Sequence, residues 1–162
     1  MKNSISAGRA IRRANSVSEN KRVAYLLDTC TISEMVAVQP NENVLSWFQL
    51  QNEKTLFLSI VTIAEIEKGI YQLPASRKRT LLETWLFDEL VPNFQGRILD
   101  INSKLMTTWA KMSADLKTKG IIRPSFDSLI EATALHHQQI LVTRNVKNFQ
   151  NSQVTILNPW EE

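Results

Sequence analysis

The feature that most restricts how this chain can fold is a set of short runs, apolar on both faces, that end abruptly at a polar or acidic side chain. Val23-Ala24-Tyr25-Leu26-Leu27 stops at Asp28 and is followed by the small residues Thr29, Cys30 and Thr31. A run of that length with those flanks reads as a buried strand. Thr55–Thr62 and Ile140–Thr143 repeat the pattern, and Arg97–Ile101 and Val154–Leu157 give shorter versions. Strands covered on both faces belong to parallel sheets with helices on either side.

The segments between the runs have helical spacing. Thr31–Val38 is a short helix stopped at Gln39-Pro40, and Val44, Leu45, Trp47, Phe48 and Leu50 mark a second. Thr62 is placed to cap a third helix carrying Glu65 and Gly69 on one face. A long amphipathic helix is expected from Ser76 to Leu90, closed by Pro92. Another opens at Asn102 or Ser103 and ends before Gly120, and Asp127 falls at the start of the apolar helix Leu129–Leu135. Alternating strands and helices argue for an α/β fold, a three-layer sandwich around a central parallel sheet.

At 162 residues the chain is long enough for one domain with a real core. Its net charge of +3 is unevenly spread. Residues 1–22 carry Lys2, Arg9, Arg12, Arg13, Lys21 and Arg22 against Glu19, a net of +5, while residues 23–162 carry 13 basic and 15 acidic side chains. The expected division is therefore a basic N-terminal extension at 1–22, disordered in isolation, and a domain at 23–162. Such an arm can add salt-sensitive affinity for a phosphate backbone, and a plain solvated tail is equally compatible. The single cysteine, Cys30, leaves no internal disulfide framework and suits a reducing compartment. No run reaches membrane-spanning length and no signal-peptide core opens the chain, so the expectation is a cytoplasmic protein without a membrane partner.

Asp28, Glu65, Asp127 and the Thr143–Asn148 loop each lie just past a strand end or near a helix start. In a parallel sheet those points share one edge, where open α/β folds place their ligands. Clustered carboxylates repel one another unless a cation sits among them, and oxygen ligands with retained water suit Mg²⁺ or Mn²⁺. Taken singly, each has a plain alternative: Asp28 and Asp127 as helix caps, Glu65 as a partner of the helix dipole. Asp100 is a strand-end carboxylate and a candidate accessory. Glu67 and Glu131 are expected to face solvent or a partner chain, Trp85 and Trp109 to pack in the core or a dimer interface, and His136-His137 to lie at the surface.

Competing chemistries lack their residues. A haloacid-dehalogenase-like phosphatase needs a second Asp where Cys30 stands. A P-loop needs glycines, and only Gly8 precedes Gly69. Zinc hydrolysis needs spaced His and Cys ligands, and serine hydrolysis needs a Gly-x-Ser-x-Gly elbow.

Five segments in order resemble the PIN-domain nucleases, specifically the VapC-type toxins of type II toxin–antitoxin systems. They are Leu26–Cys30, Ser59–Ile70, Asp127–Ala134, Leu141–Phe149 and Leu157–Glu161. The resemblance spans about residues 23–161 and implies a PIN-like (Rossmann-like) sandwich. It also implies a Mg²⁺-dependent endoribonuclease, with Mn²⁺ a possible substitute, acting on RNA as a homodimer and restrained by a cognate antitoxin. Carried over by position, Asp28 and Asp127 would be the principal catalytic and metal carboxylates, Glu65 the third, and Thr143 the supporting hydroxyl, with Asn148 and Asp100 accessory. The chain departs from the pattern at Cys30, where Asn or Ser is common, at Asn102, often Asp, and at Asn148, usually Asp or Glu. An Asn supplies no charge, so a catalytically degenerate PIN domain that binds RNA or antitoxin is the alternative reading.

Overall fold

The computed structural model describes residues 22–161; the basic extension expected at 1–22 therefore lies, but for Arg22, outside the described residues. Five strands form one parallel sheet: β1 (Tyr25–Leu27), β2 (Leu56–Ser59), β3 (Ile98–Leu99), β4 (Ile140–Val142) and β5 (Ile156–Leu157), in the order β3-β2-β1-β4-β5. The expected α/β architecture is present, with helices on both faces.

Consecutive strand residues point to opposite faces, and both faces are dry. Leu27, Leu58 and Val142 enter one cluster with Ile32, Trp47, Ile66, Leu86 and Leu90. Leu26 and Leu141 enter another with Val61, Ile130, Ala134 and Phe149. This is why each run is apolar throughout rather than alternating. A third cluster of Leu105, Met112, Leu116 and Ala132 joins two long helices.

The helices are α1 (Thr29–Ser33), α2 (Glu42–Leu50), α3 (Ile60–Tyr71), α4 (Arg77–Thr84), α5 (Val91–Asn93), α6 (Ser103–Thr118) and α7 (Ser125–His137). Three boundaries differ from expectation. The third helix starts at Ile60 rather than after Thr62, because Ser59 at the end of β2 already caps it: its hydroxyl accepts from the Val61 amide at 3.1 Å. Glu65 consequently sits in the second turn. The long helix expected to Leu90 begins as read, with Ser76 capping Arg79 at 3.2 Å, but becomes π-helical over Trp85–Leu90. Pro92 then lies inside α5 instead of closing the helix, near the end of a helical run that is unbroken from Arg77 to Asn93. The first helix is also shorter, passing into a 3-10 turn at Glu34–Val36. The chain turns at Gly96, whose φ of 77° only glycine adopts freely, before entering β3.

The strand order locates the site. The chain runs outward from β1 through β2 to β3, then returns to the other side of β1 with β4. The neighbours β1 and β4 thus form the switch point of the sheet, where carboxyl-end loops diverge and leave a crevice. Asp28 follows β1 and Thr143 follows β4. Among the described residues no helix is long and apolar enough to cross a membrane.

Candidate active site

Asp28 is almost fully buried, 4% exposed, and its carboxylate is held from both sides. One oxygen accepts from the Thr29 amide at 2.7 Å as the N-cap of α1; the other accepts from the Thr143 hydroxyl at 2.7 Å. Asp28 is therefore a helix cap, and that does not bar it from a second role. Capping uses one lone pair of one oxygen and leaves others for a ligand. Thr143 also accepts from the Asn145 amide at 3.0 Å, and Cys30 Sγ lies 3.5 Å from its hydroxyl and 3.6 Å from Asp28 Oδ2. A second threonine anchors the switch point from below, Thr31 donating to the Val142 carbonyl at 2.8 Å.

Glu65 reaches the same place from α3, its Oε2 accepting a hydrogen bond from the Thr29 hydroxyl. Asp127 stands in the first turn of α7, and its Oδ2 accepts from the Asn148 side-chain amide at 3.2 Å. The electrostatics show that these carboxylates share one field. Partial burial pushes the Glu65 carboxyl above the usual range, offset by Thr29 and reinforced by the charges of Asp28 and Asp127. Burial raises Asp127 too, Asp28 adding to the rise while Asn148 and Arg123 oppose it. Burial and the Asp28 charge push the Cys30 thiol up.

Asp100 is exposed just past β3, the outermost strand on that side, with β2 between it and β1. Asn102 caps α6, accepting from the Leu105 amide at 2.9 Å. Trp109 is half-buried and donates to Ser128 Oγ at 3.0 Å, and Trp85 packs against the core, as expected for structural tryptophans. His136 is half-buried against Thr108, its Nδ1 lying 3.0 Å from that hydroxyl.

Glu131 corrects the reading most sharply. It is not a surface residue: its side chain is 1% exposed and ion-paired with Arg123, itself 3% exposed. An apolar helix offers no sequence signal for this pair beyond one Glu standing among Leu, Ile and Ala. The contribution of Thr29 in holding Glu65 was also missed, though a hydroxyl directly after Asp28 was a visible hint.

The donor set is oxygen throughout: three carboxylates from three elements, with the Thr143 hydroxyl beside them. Among the described residues no three His, Cys, Asp or Glu side chains close into a ready cage. An oxygen-lined, charge-strained edge of this kind fits a hard divalent cation that keeps much of its water shell, as Mg²⁺ does. A separate cleft lined by Phe48, Trp85, Leu90, Phe94 and Arg97 contains none of these carboxylates.

Residues 25–151 match the PIN domain family. The chain is 35% identical over 136 residues to VapC ribonuclease Y4jK of Sinorhizobium fredii, covering 84% of this chain and 97% of the relative. It is 34% identical over 137 residues to toxin FitB of Neisseria gonorrhoeae, covering 85% and 99% respectively. The crystal structure of FitAcB from Neisseria gonorrhoeae superposes with a TM-score of 0.81 at 33% identity, covering 85% of this chain and 99% of that one. With a five-stranded parallel sheet, carboxylates gathered at its switch point and these relatives along most of its length, the chain belongs to the PIN domain family.

Proposed function

We propose that this protein is a metal-dependent endoribonuclease, the toxin of a type II toxin–antitoxin pair, which hydrolyses RNA phosphodiester bonds. The observation that carries the reading is the convergence of Asp28, Glu65 and Asp127 from three separate elements into one mutually repelling group. Relatives named as a VapC ribonuclease and a FitB toxin support it, as does the likeness to a structure of FitAB bound to a DNA fragment, with a TM-score of 0.79 and 33% identity. A cognate antitoxin, a homodimeric state and a cytoplasmic location belong to the same proposal.

In this reading Asp28 and Asp127 hold the ion, with Glu65 completing the acidic wall. A divalent cation held there, Mg²⁺ or Mn²⁺, would supply Lewis acidity, stabilising phosphate charge and lowering the pKa of a water. Thr143 and the Thr29 amide keep the Asp28 carboxylate fixed, so no reorganisation is required as charge develops. Thr29 holds Glu65 in the same manner, placing a carboxylate of raised proton affinity where a water proton can be received. In-line attack leaves 5′-phosphate and 3′-hydroxyl ends. Asn148 favours a second reading, a degenerate PIN domain that binds RNA or antitoxin without cutting, because it brings an amide rather than a charge to Asp127. Sequencing RNA ends after induction of the wild-type chain and of Asp28→Asn separates the two. New 5′ ends confined to the wild type support cleavage, and identical end maps sink it.

The raised carboxyls give a pH prediction. A carboxyl whose folded pKa exceeds its unfolded value is penalised once it ionises, so Glu65 and Asp127 destabilise the metal-free fold as pH rises through those values. Their penalty should begin to shrink as pH falls to the raised folded pKa values and be gone only below the unfolded ones. Melting temperatures of the metal-free protein and of Glu65→Gln, followed from pH 7 downward, check this. The wild type should gain on the variant as pH falls, and a gap that widens instead would contradict the sign.

A further inference from the structure

Arg123 precedes α7 and Glu131 lies one turn beyond Asp127, so the two bracket that carboxylate along the helix. The guanidinium engages both oxygens of Glu131, Nε pairing with Oε2 and Nη2 donating to Oε1 at 3.2 Å. Two more of its N–H groups go to one short loop. Nη1 donates to the Asn148 carbonyl, Nη2 donates to the Gln150 carbonyl at 3.1 Å, and the guanidinium sits 5.5 Å from the centre of the buried Phe149 ring. The pair therefore grips the main chain on either side of Phe149, at residues 148 and 150.

Stability alone does not account for this arrangement. Taking two charges out of water offsets most of their attraction, and an apolar pair of similar volume is often as stable. What a bidentate fork provides beyond an apolar pair is direction. Here it fixes the main chain of the residue whose side-chain amide rests on Asp127 Oδ2 at 3.2 Å.

We propose that Arg123, seated by Glu131, is a positioning residue for Asp127: by fixing the main chain at 148–150 it places the Asn148 amide on the Asp127 carboxylate and thereby sets the affinity of the site for a divalent cation. The inference rests on the reading of Asp28, Glu65 and Asp127 as a cation site. Groups that orient a ligating carboxylate typically change metal affinity by roughly 10–100-fold when removed.

The test is Mn²⁺ binding by calorimetry to the purified full-length chain, with RNA absent, for wild type, Arg123→Lys, Asn148→Ala and the double variant. Lys keeps the positive charge near Asp127 but cannot span Glu131 and two carbonyls, so it isolates geometry from charge. Arg123→Lys and Asn148→Ala should each weaken Mn²⁺ binding by about tenfold, and the double variant should be no weaker than Asn148→Ala, since both act through one amide. Unchanged affinity in Arg123→Lys, or losses that multiply to about a hundredfold in the double variant, overturn the proposal. Should Arg123→Lys fail to fold, Arg123→Met combined with Glu131→Leu takes its place. That variant is expected to melt at or above the wild-type temperature while binding Mn²⁺ about tenfold more weakly, and wild-type affinity in it is equally fatal. A wild-type chain that binds no Mn²⁺ at millimolar concentration removes the cation site itself, whereas normal wild-type binding with unaffected variants removes only the role of Arg123.

Discussion

Asp28→Asn is expected to give a folded protein whose RNA cleavage is about a thousandfold slower, equivalent to roughly 4 kcal/mol of transition-state stabilisation. The substitution is nearly isosteric and keeps an oxygen that can accept from the Thr29 amide or the Thr143 hydroxyl. What it removes is a charge at the point nearest the switch of the sheet. Without that charge, repulsion on Glu65 and Asp127 is relieved, since Asp28 raises both. The metal-free variant should thus be as stable as the wild type or slightly more so, and its activity should not return at high Mg²⁺. Single-turnover cleavage beside a thermal melt measures both effects. A folded Asp28→Asn protein cutting at the wild-type rate would show that the catalytic centre lies elsewhere.

Glu131→Ala is the most damaging substitution for the fold, with an expected loss of about 3–5 kcal/mol. Both partners of the pair are almost completely shielded from solvent, so little screening discounts the effect. Truncating Glu131 leaves the Arg123 guanidinium without its counter-charge in a place water cannot readily reach. It also opens a void in a helix whose neighbours Ile130, Ala132 and Ala134 have no exposed surface. Urea unfolding of wild type and variant provides the measurement. A loss under about 1 kcal/mol, the range of a surface pair, would mean that the pair is hydrated in solution.

The contrast between these residues shows which parts of the site were legible. Asp28 and Thr143 could be placed together before any coordinates existed, because each ends an apolar run and parallel strands deliver their ends to one edge. Asp127 was legible as a residue in the first turn of a helix. For Asp100 the same edge rule says nothing of how far along the sheet a strand lies, and β3 proves to be outermost. The start of α3 was misread because Ser59 and Thr62 are both competent caps, and only packing against Val61 and Ile63 chooses between them. The Arg123–Glu131 pair had no local signature. Its partners come from a loop before α7 and from the buried face of that helix, and the carbonyls it holds belong to a third segment. Charge in an apolar helix reads as a solvated face until the partner is in view.

The most direct measurement is cleavage of a long single-stranded RNA by purified protein that has been stripped with EDTA, dialysed and then titrated with Mg²⁺. The expected result is no cleavage in the stripped state, and cleavage rising with Mg²⁺ to give 5′-phosphate ends. Asp28→Asn and Asp127→Asn should stay silent across the titration while retaining wild-type melting behaviour. Undiminished cutting in EDTA, or cutting by folded Asp127→Asn, contradicts a metal-dependent carboxylate centre. RNA binding without cleavage at any Mg²⁺ concentration would instead establish the degenerate domain.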